Sequence, residues 1–293
     1  MCPRRYFSMG ADSAKGGDRK VSFVIPAYNE AASIGACLDS ITCEAALSGV
    51  IPEVIVVDNA STDATPEVAG RHPQVIVVRE PRKGITYARQ AGFVHSTGDL
   101  VANIDADTRL TRGWLDTVQR EFARDPGLVC LSGPHRYDAA PWHVRLSARL
   151  FYRIAFLLYF LNRYVLGTGS MVQGGNFVCR RSALEKIGGF DTSIEFYGED
   201  TDIAQRLHLV GRVKFSFRLP ITASPRRLLV EGMFATGARY TVNYLWIVVF
   251  GRPFTLVSQD IRPSEAATAR PTPPTCHGGG ETVTTPLAST TRS

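Results

Sequence analysis

Asp105 and Asp107 stand one residue apart at the end of an apolar run, in Asn103-Ile104-Asp105-Ala106-Asp107. If that run is a strand, alternation puts both carboxylates on one pleated face. Hard carboxylate oxygens suit Mg²⁺ or Mn²⁺, and a cation held by only one or two of them keeps coordination positions open for phosphate oxygens. An isolated Asp-x-Asp is more often a turn than a metal site, so its surroundings decide. A second acidic group, Glu199-Asp200-Thr201-Asp202, opens a segment with Ile203, Leu207 and Val210 at helical spacing. Acids there complement the positive end of a helix. One of them, in a partly dry site, can also take a proton as a general base.

These residues need elements to hold them. Val21 to Pro26, the β-branched Val54 to Val57, Val75 to Val78 and Leu100 to Ile104 read as strands. Between them lie helical segments: one with Ile34, Leu38, Ile41 and Ala45 on a single face, one starting at Thr65 as N-cap with Pro66 in first position, and one from Ile85 to His95. The β-α-β order predicts an α/β fold, a mostly parallel central sheet flanked by helices, with ligands beyond the carboxyl ends of the strands. Pro26, Tyr28, Glu30, Asp58, Lys83, Asp105 and Asp107 then share one rim, with Arg89 in the helix behind it. Tyr28 offers a stacking face, Asp58 an acceptor for a base or ribose, and Lys83 and Arg89 charge for phosphate. Each alone reads as a turn or surface residue; jointly they favour a nucleotide-diphosphate pocket. A dinucleotide site is disfavoured because the first turn lacks Gly-x-Gly-x-x-Gly, and no P-loop occurs. Gly174-Gly175-Asn176 either forms a tight turn or lets backbone come close to a sugar or acceptor. His135 and His208 are candidate metal ligands, although scattered histidines are usually structural.

The net charge of +6 suits an anionic partner such as a phosphate-bearing substrate or an acidic membrane surface. Nucleic acid is disfavoured: the basic residues are scattered and carry no binding signature. The six cysteines show no Cys-x-x-Cys spacing, which predicts core thiols in a reducing compartment. Residues 1–20 lack the apolar stretch of a signal peptide and read as a disordered, cytoplasmic start. Residues 259–293 are rich in Pro, Thr, Ser and Gly and read as a disordered tail. The catalytic domain is expected over 21–225, with a helical, aromatic segment over 226–258. The stretches Leu150 to Gly167 and Tyr240 to Gly251 are apolar and aromatic, yet too short or too charged to span a bilayer. They read either as core or dimer surface or as interfacial helices at the inner face of the membrane.

Taken together, VSFVIPAYNEAASIGACLDSI, VIVVDNASTDAT, KGITYARQAGFVHSTGDLVANIDADT, GGNFVCRRSALEKIGGFD and YGEDTDIAQRLHLVGRVKF resemble the family 2 glycosyltransferases of GT-A fold over roughly Val21 to Pro220. That resemblance implies inverting, metal-assisted transfer of one sugar from a nucleotide-diphosphate sugar donor to a hydroxyl acceptor, for which a lipid-linked molecule is one fit. It implies that Pro26, Tyr28, Glu30 and Asp58 line the nucleoside site, that Asp105 lies near ribose and diphosphate, and that Asp107 binds the metal. It also implies Asp200 as the base, with Glu199 orienting it or holding a sugar hydroxyl. The Gln-x-x-Arg-Trp motif of processive synthases is absent, which favours single transfers, and Gln90 stands where many relatives carry Asn. Two other expectations compete: a sugar-nucleotide pyrophosphorylase, disfavoured because its Gly-rich basic loop is missing, and an inactive nucleotide-sugar-binding module.

Overall fold

The computed structural model describes residues 19–161, 171–194, 198–230 and 232. The expectations for 1–18 and 233–293, and for the second aromatic stretch, fall outside these residues. The first half of the chain alternates as expected: β1 (Val21–Ala27), α1 (Ile34–Ser48), β2 (Glu53–Asp58), α2 (Thr65–Gly70), β3 (Val75–Arg79), α3 (Ile85–His95) and β4 (Leu100–Ile104). Then follow β5 (Thr108–Leu110), α4 (Trp114–Arg124), β6 (Leu128–Ser132), β7 (His135–Arg136) and α5 (Trp142–Leu161). The last described elements are β8 (Asn176–Arg180), α6 (Arg181–Lys186), α7 (Glu199–His208), β9 (Arg212–Phe215), β10 (Ile221–Ala223) and α8 (Arg226–Val230).

A seven-stranded sheet has the order β3-β2-β1-β4-β8-β6-β9. All its pairings are parallel except those made by β8, which runs against both β4 and β6. Strand alternation explains why both faces are apolar. Phe23, Ile25 and Val56 point to one side, where Ile34, Leu38 and Ile41 of α1 and Trp114 and Phe122 of α4 cover them. Val24, Ile55 and Val57 point to the other, under Ala88 and Phe93 of α3, Leu184 of α6 and Ile203 and Leu207 of α7. Fully burying each large apolar side chain contributes about 1.5–3 kcal/mol, so these two layers carry the fold. Only the edge strand β3 leaves Ile76 and Val77 exposed among the parallel strands of the first half.

The reversal of β8 shapes the rim. Ile104, the last residue of β4, pairs with Asn176, the first of β8, so the glycines entering β8 meet the aspartates leaving β4. Pairing stops there. Asp105 and Asp107 therefore lie in a turn, closed by the Thr108 N–H donating to the Asp105 carbonyl at 3.1 Å, and not on a pleated strand face as their spacing suggests. A second sheet, β5-β10-β7, starts directly after that turn and draws the chain beyond β9 back toward it. The helix α2 also begins one residue earlier than expected. Ala64 is its cap, and Thr65 instead uses its hydroxyl to accept the Glu30 N–H at 2.8 Å, tying the β1 loop to α2. Among the described residues no helix is long and apolar enough to cross a membrane.

Candidate active site

Two asparagines build the β1–β3 part of the rim. Asn29, held at a positive φ of 52°, accepts the Thr62 N–H at 2.8 Å, while its own N–H donates to Ser61 Oγ at 3.1 Å. Asn59 is buried and pins the next loop, donating to the Arg82 carbonyl at 2.7 Å and accepting the Gly84 N–H at 2.8 Å. That loop carries Lys83 across the rim, with Nζ 3.9 Å from the centre of the Tyr28 ring. Asp58 is buried, and its Oδ1 accepts the Ser61 N–H at 3.1 Å. Pro26 belongs to β1 itself and places Tyr28 two residues beyond on the same rim. The roles of Asn29 and Asn59 were not singled out in the sequence, although both lie in stretches that carry the resemblance.

Beyond this rim, each aspartate of the Asp105-Ala106-Asp107 turn meets a different arginine. Asp107 accepts from Arg226 Nη2 at 3.1 Å, and the same nitrogen donates to Glu30 at 2.7 Å. Burial and the neighbouring Asp105 raise the Asp107 pKa, and Arg226 offsets part of that rise. The Arg89 guanidinium lies 3.4 Å from Asp105 Oδ1 and pairs with Glu199 from the other side. Arg89 is only 1% exposed. It is neither the surface residue nor the phosphate ligand that its sequence position suggests: its charge is enclosed between two acids of the protein. Burial pulls the Arg89 pKa down, but the Glu199 and Asp105 charges outweigh burial and raise it. Burial pushes Glu199 up to about 7, with Arg89 pulling against it and Asp200 and Asp105 adding to it.

Asp200 follows in the first turn of α7. Its Oδ1 accepts the Thr201 N–H at 2.8 Å, and the Gly174 N–H also bonds to it. Burial raises its pKa, which these donors and Arg89 partly reverse. Gly174 and Gly175 approach the protein's own acids. A Cβ on Gly174 would sit 3.1 Å from Glu199 Oε1 and 3.7 Å from Asp200 Oδ2, and one on Gly175, whose φ is +74°, would overlap the Asp105 carboxylate. Asn176 faces the interior: it is fully buried, accepts from Trp114 Nε1 at 3.2 Å and donates to the Leu219 carbonyl at 2.8 Å. Its side chain is therefore a brace between elements, correcting the expected contact with sugar or acceptor. Gln90 now has an account, since its Oε1 accepts the Phe190 N–H at 2.8 Å and holds the loop leading toward α7.

The sequence left two histidines as metal candidates. His208 is at the far end of α7 from Glu199, about 13 Å away along the helix axis. It does not belong to the site. His135 is close enough to Asp105 and Asp107 for both to pull its pKa upward, although burial wins and lowers it. Its buried Nε2 has no hydrogen-bond partner among the described residues. No group of three or more His, Cys, Asp or Glu side chains gathers as a metal cage among the described residues. Two carboxylates on one turn, one of them held above its ordinary pKa by burial and by the other's charge, still fit a divalent cation that takes its other ligands from phosphate and water. Arg226, 119 residues further on, had no signal in the sequence that could connect it with Asp107.

Residues 22–188 match the family model described as glycosyl transferase family 2. Among curated proteins, the chain is 33% identical over 210 residues to a pre-mycofactocin glycosyltransferase of Mycobacterium tuberculosis, covering 66% of this chain and 40% of that one. It is 35% identical over 101 residues to the glycosyltransferase AglE of Haloferax volcanii, covering 33% of each. The chain thus spans less than half the length of these relatives. Among solved structures, a mannosyltransferase of Pyrobaculum calidifontis in complex with GDP-Man and Mn²⁺ superposes with a TM-score of 0.57 at 22% identity, over 80% of this chain and 65% of the other. Glucosyl-3-phosphoglycerate synthase of M. tuberculosis, with Mn²⁺, UDP-Glc and phosphoglyceric acid, gives 0.55 at 22% identity, over 80% and 81%. At such identities these structures establish the shared fold.

Proposed function

Because the chain belongs to family 2 of the glycosyltransferases and has the GT-A fold, we propose that its 21–225 region moves one hexosyl group from a nucleotide-diphosphate sugar to a hydroxyl acceptor, with inversion. The observation that carries this reading is the split of the Asp105-Ala106-Asp107 turn between two differently charged surroundings. Toward β1–β3, Tyr28, Glu30, Asp58, Lys83 and Arg226 suit a nucleoside diphosphate. Toward β8 and α7, Asp200 lies beside Gly174, and among the described residues Arg89 is the one cation whose charge acts on it.

In this reading the Asp200 carboxylate accepts the proton of the acceptor hydroxyl as its oxygen bonds to the anomeric carbon and the nucleoside diphosphate leaves from the opposite face. A carboxylate whose pKa is raised by burial is a better proton acceptor than one in water. Arg89 orients the acids: it holds Glu199 at the head of α7, so that Asp200, the next residue, faces the reaction and not the core. Lys83 and Arg226 meet charge building on the leaving diphosphate. A Mg²⁺ or Mn²⁺ ion on Asp107 and Asp105 would add Lewis-acid stabilisation of that charge. Arg226 then has two sets of partners, the acids Glu30 and Asp107 in the structure described and the donor diphosphate in the complex.

The test is incubation of the protein and Mn²⁺ with a panel of nucleotide sugars, following release of nucleoside diphosphate. Slow hydrolysis of one donor supports the reading and names the base and sugar. Tight binding of a donor with no turnover under any acceptor would favour a binding module instead.

A further inference from the structure

The helix α5 has an outward face that the transferase reading leaves without a role. Its inner row, Val144, Ala148 and Tyr152, recurs every four residues and packs on the body of the protein. A second row, Trp142, Leu146, Leu150 and Ile154, keeps the same spacing about half a turn away, with Leu157 one turn beyond Ile154, and these five side chains are from 51% to 69% exposed. Beside it runs a third row, Arg145, Arg149 and Arg153, also exposed. The helix contains no Asp or Glu between Trp142 and Leu161. A continuous apolar stripe with a charged border marks an interaction surface, unlike scattered exposed leucines.

We propose that this face of α5 docks on an anionic bilayer surface, with the apolar row in the acyl boundary and the arginines on lipid phosphates. Charge decides the occupant. Pairing the stripe with a second copy of itself would lay two arginine rows side by side with no acid on either helix to meet them. An anionic leaflet supplies the missing charge, and a tryptophan at one end of the stripe suits the headgroup level. The docking does not depend on the transferase reading, but it bears on it. On the inner row, the Tyr152 hydroxyl accepts the His135 N–H at 3.2 Å and donates to Gln173 Oε1 at 3.0 Å, and Gln173 immediately precedes Gly174. The bilayer would lie one helix away from the acceptor side of the site, which suits an acceptor that is itself an amphiphile.

Flotation of the full chain with vesicles of phosphatidylcholine alone, and of equimolar phosphatidylcholine and phosphatidylglycerol, tests the proposal. The protein should float with the anionic vesicles and stay behind with the neutral ones. A Leu150→Glu, Ile154→Glu double variant should stay behind with both while keeping its circular dichroism spectrum and Tm, because both side chains are exposed. Replacing Arg145, Arg149 and Arg153 by Gln should lower the partition coefficient by about a hundredfold, roughly fivefold per arginine. Failure of the natural protein to float with anionic vesicles overturns the proposal. So does flotation of the double variant as strongly as the natural protein, which would place the contact elsewhere in the chain. Dimers in sedimentation velocity that the double variant abolishes, without vesicle binding, would assign the face to a second copy.

Discussion

Arg89 and Arg226 each join two carboxylates from distant parts of the chain, and one aspartate of the same turn goes to each. What separates them is water. Arg89 is 1% exposed and closed in by α3, β8 and α7, whereas the Arg226 side chain keeps 28% of its surface open at the start of α8. An enclosed pair cannot exchange partners, because either charge left alone in the interior would be severely penalised. Arg226, reached by water, can turn from Asp107 toward a ligand far more easily, although Glu30, 7% exposed, keeps its own end of the pair enclosed. In the proposed reading, the same chemistry serves as fixed scaffolding on the acceptor side and as an exchangeable contact on the donor side.

The contrast predicts unequal effects. Arg89→Leu leaves Glu199 and Asp105 without their buried partner and should cost about 3–5 kcal/mol in urea unfolding, with turnover lost as well. A destabilisation no larger than that of a surface substitution would place Arg89 in contact with water after all. Asp107→Ala should unfold at nearly the natural urea concentration but remove the response of donor binding to Mg²⁺ or Mn²⁺; calorimetry of a nucleoside diphosphate with and without EDTA reads it. Equal affinity in both conditions for the natural protein would end the metal role of the turn.

Glu199 gives a pH signature. Its folded pKa, about 7, exceeds the ordinary 4.5. Between those values the folded state binds the extra proton, so stability should fall as pH rises through this window and level off above it. Glu199→Gln should flatten that part of the curve of urea midpoint against pH. A natural protein that gains stability over the same window would mean that Arg89 holds Glu199 below its ordinary value. The smaller of the two arginine effects on stability belongs to Arg226→Ala, because Asp107 keeps contact with water although Glu30 loses its partner; it should cost less in urea unfolding than Arg89→Leu and weaken donor binding.

The same division governs what the sequence makes legible. The parallel strands and their helices follow from short β-branched runs and a helical repeat, because both faces of the sheet are covered. The rim residues at the ends of β1 to β4 follow from strand order alone. Depth does not. Arg89 has the same local sequence context whether α3 turns it to solvent or beneath β8, and only the packing of α7 over it decides. The sequence suggests a ligand contact for the buried Asn176 for the same reason: nothing local to Gly-Gly-Asn reveals Trp114 and Leu219 across the core. Arg226 reaches Glu30 across 196 residues of chain, through a β10 strand of three residues whose pairing with β5 no pattern announces.

Asp200 carries the central claim, since Arg89, Glu199 and the Gly174 turn are all explained as the means of holding its carboxylate toward an acceptor. Asp200→Asn keeps the size of the side chain and most of its hydrogen bonding but cannot take up the proton. With donor and acceptor supplied, its turnover should fall by roughly 10²- to 10⁴-fold while the Kd for the donor stays nearly unchanged. Near-natural turnover in that variant, at unchanged donor affinity, would contradict the account.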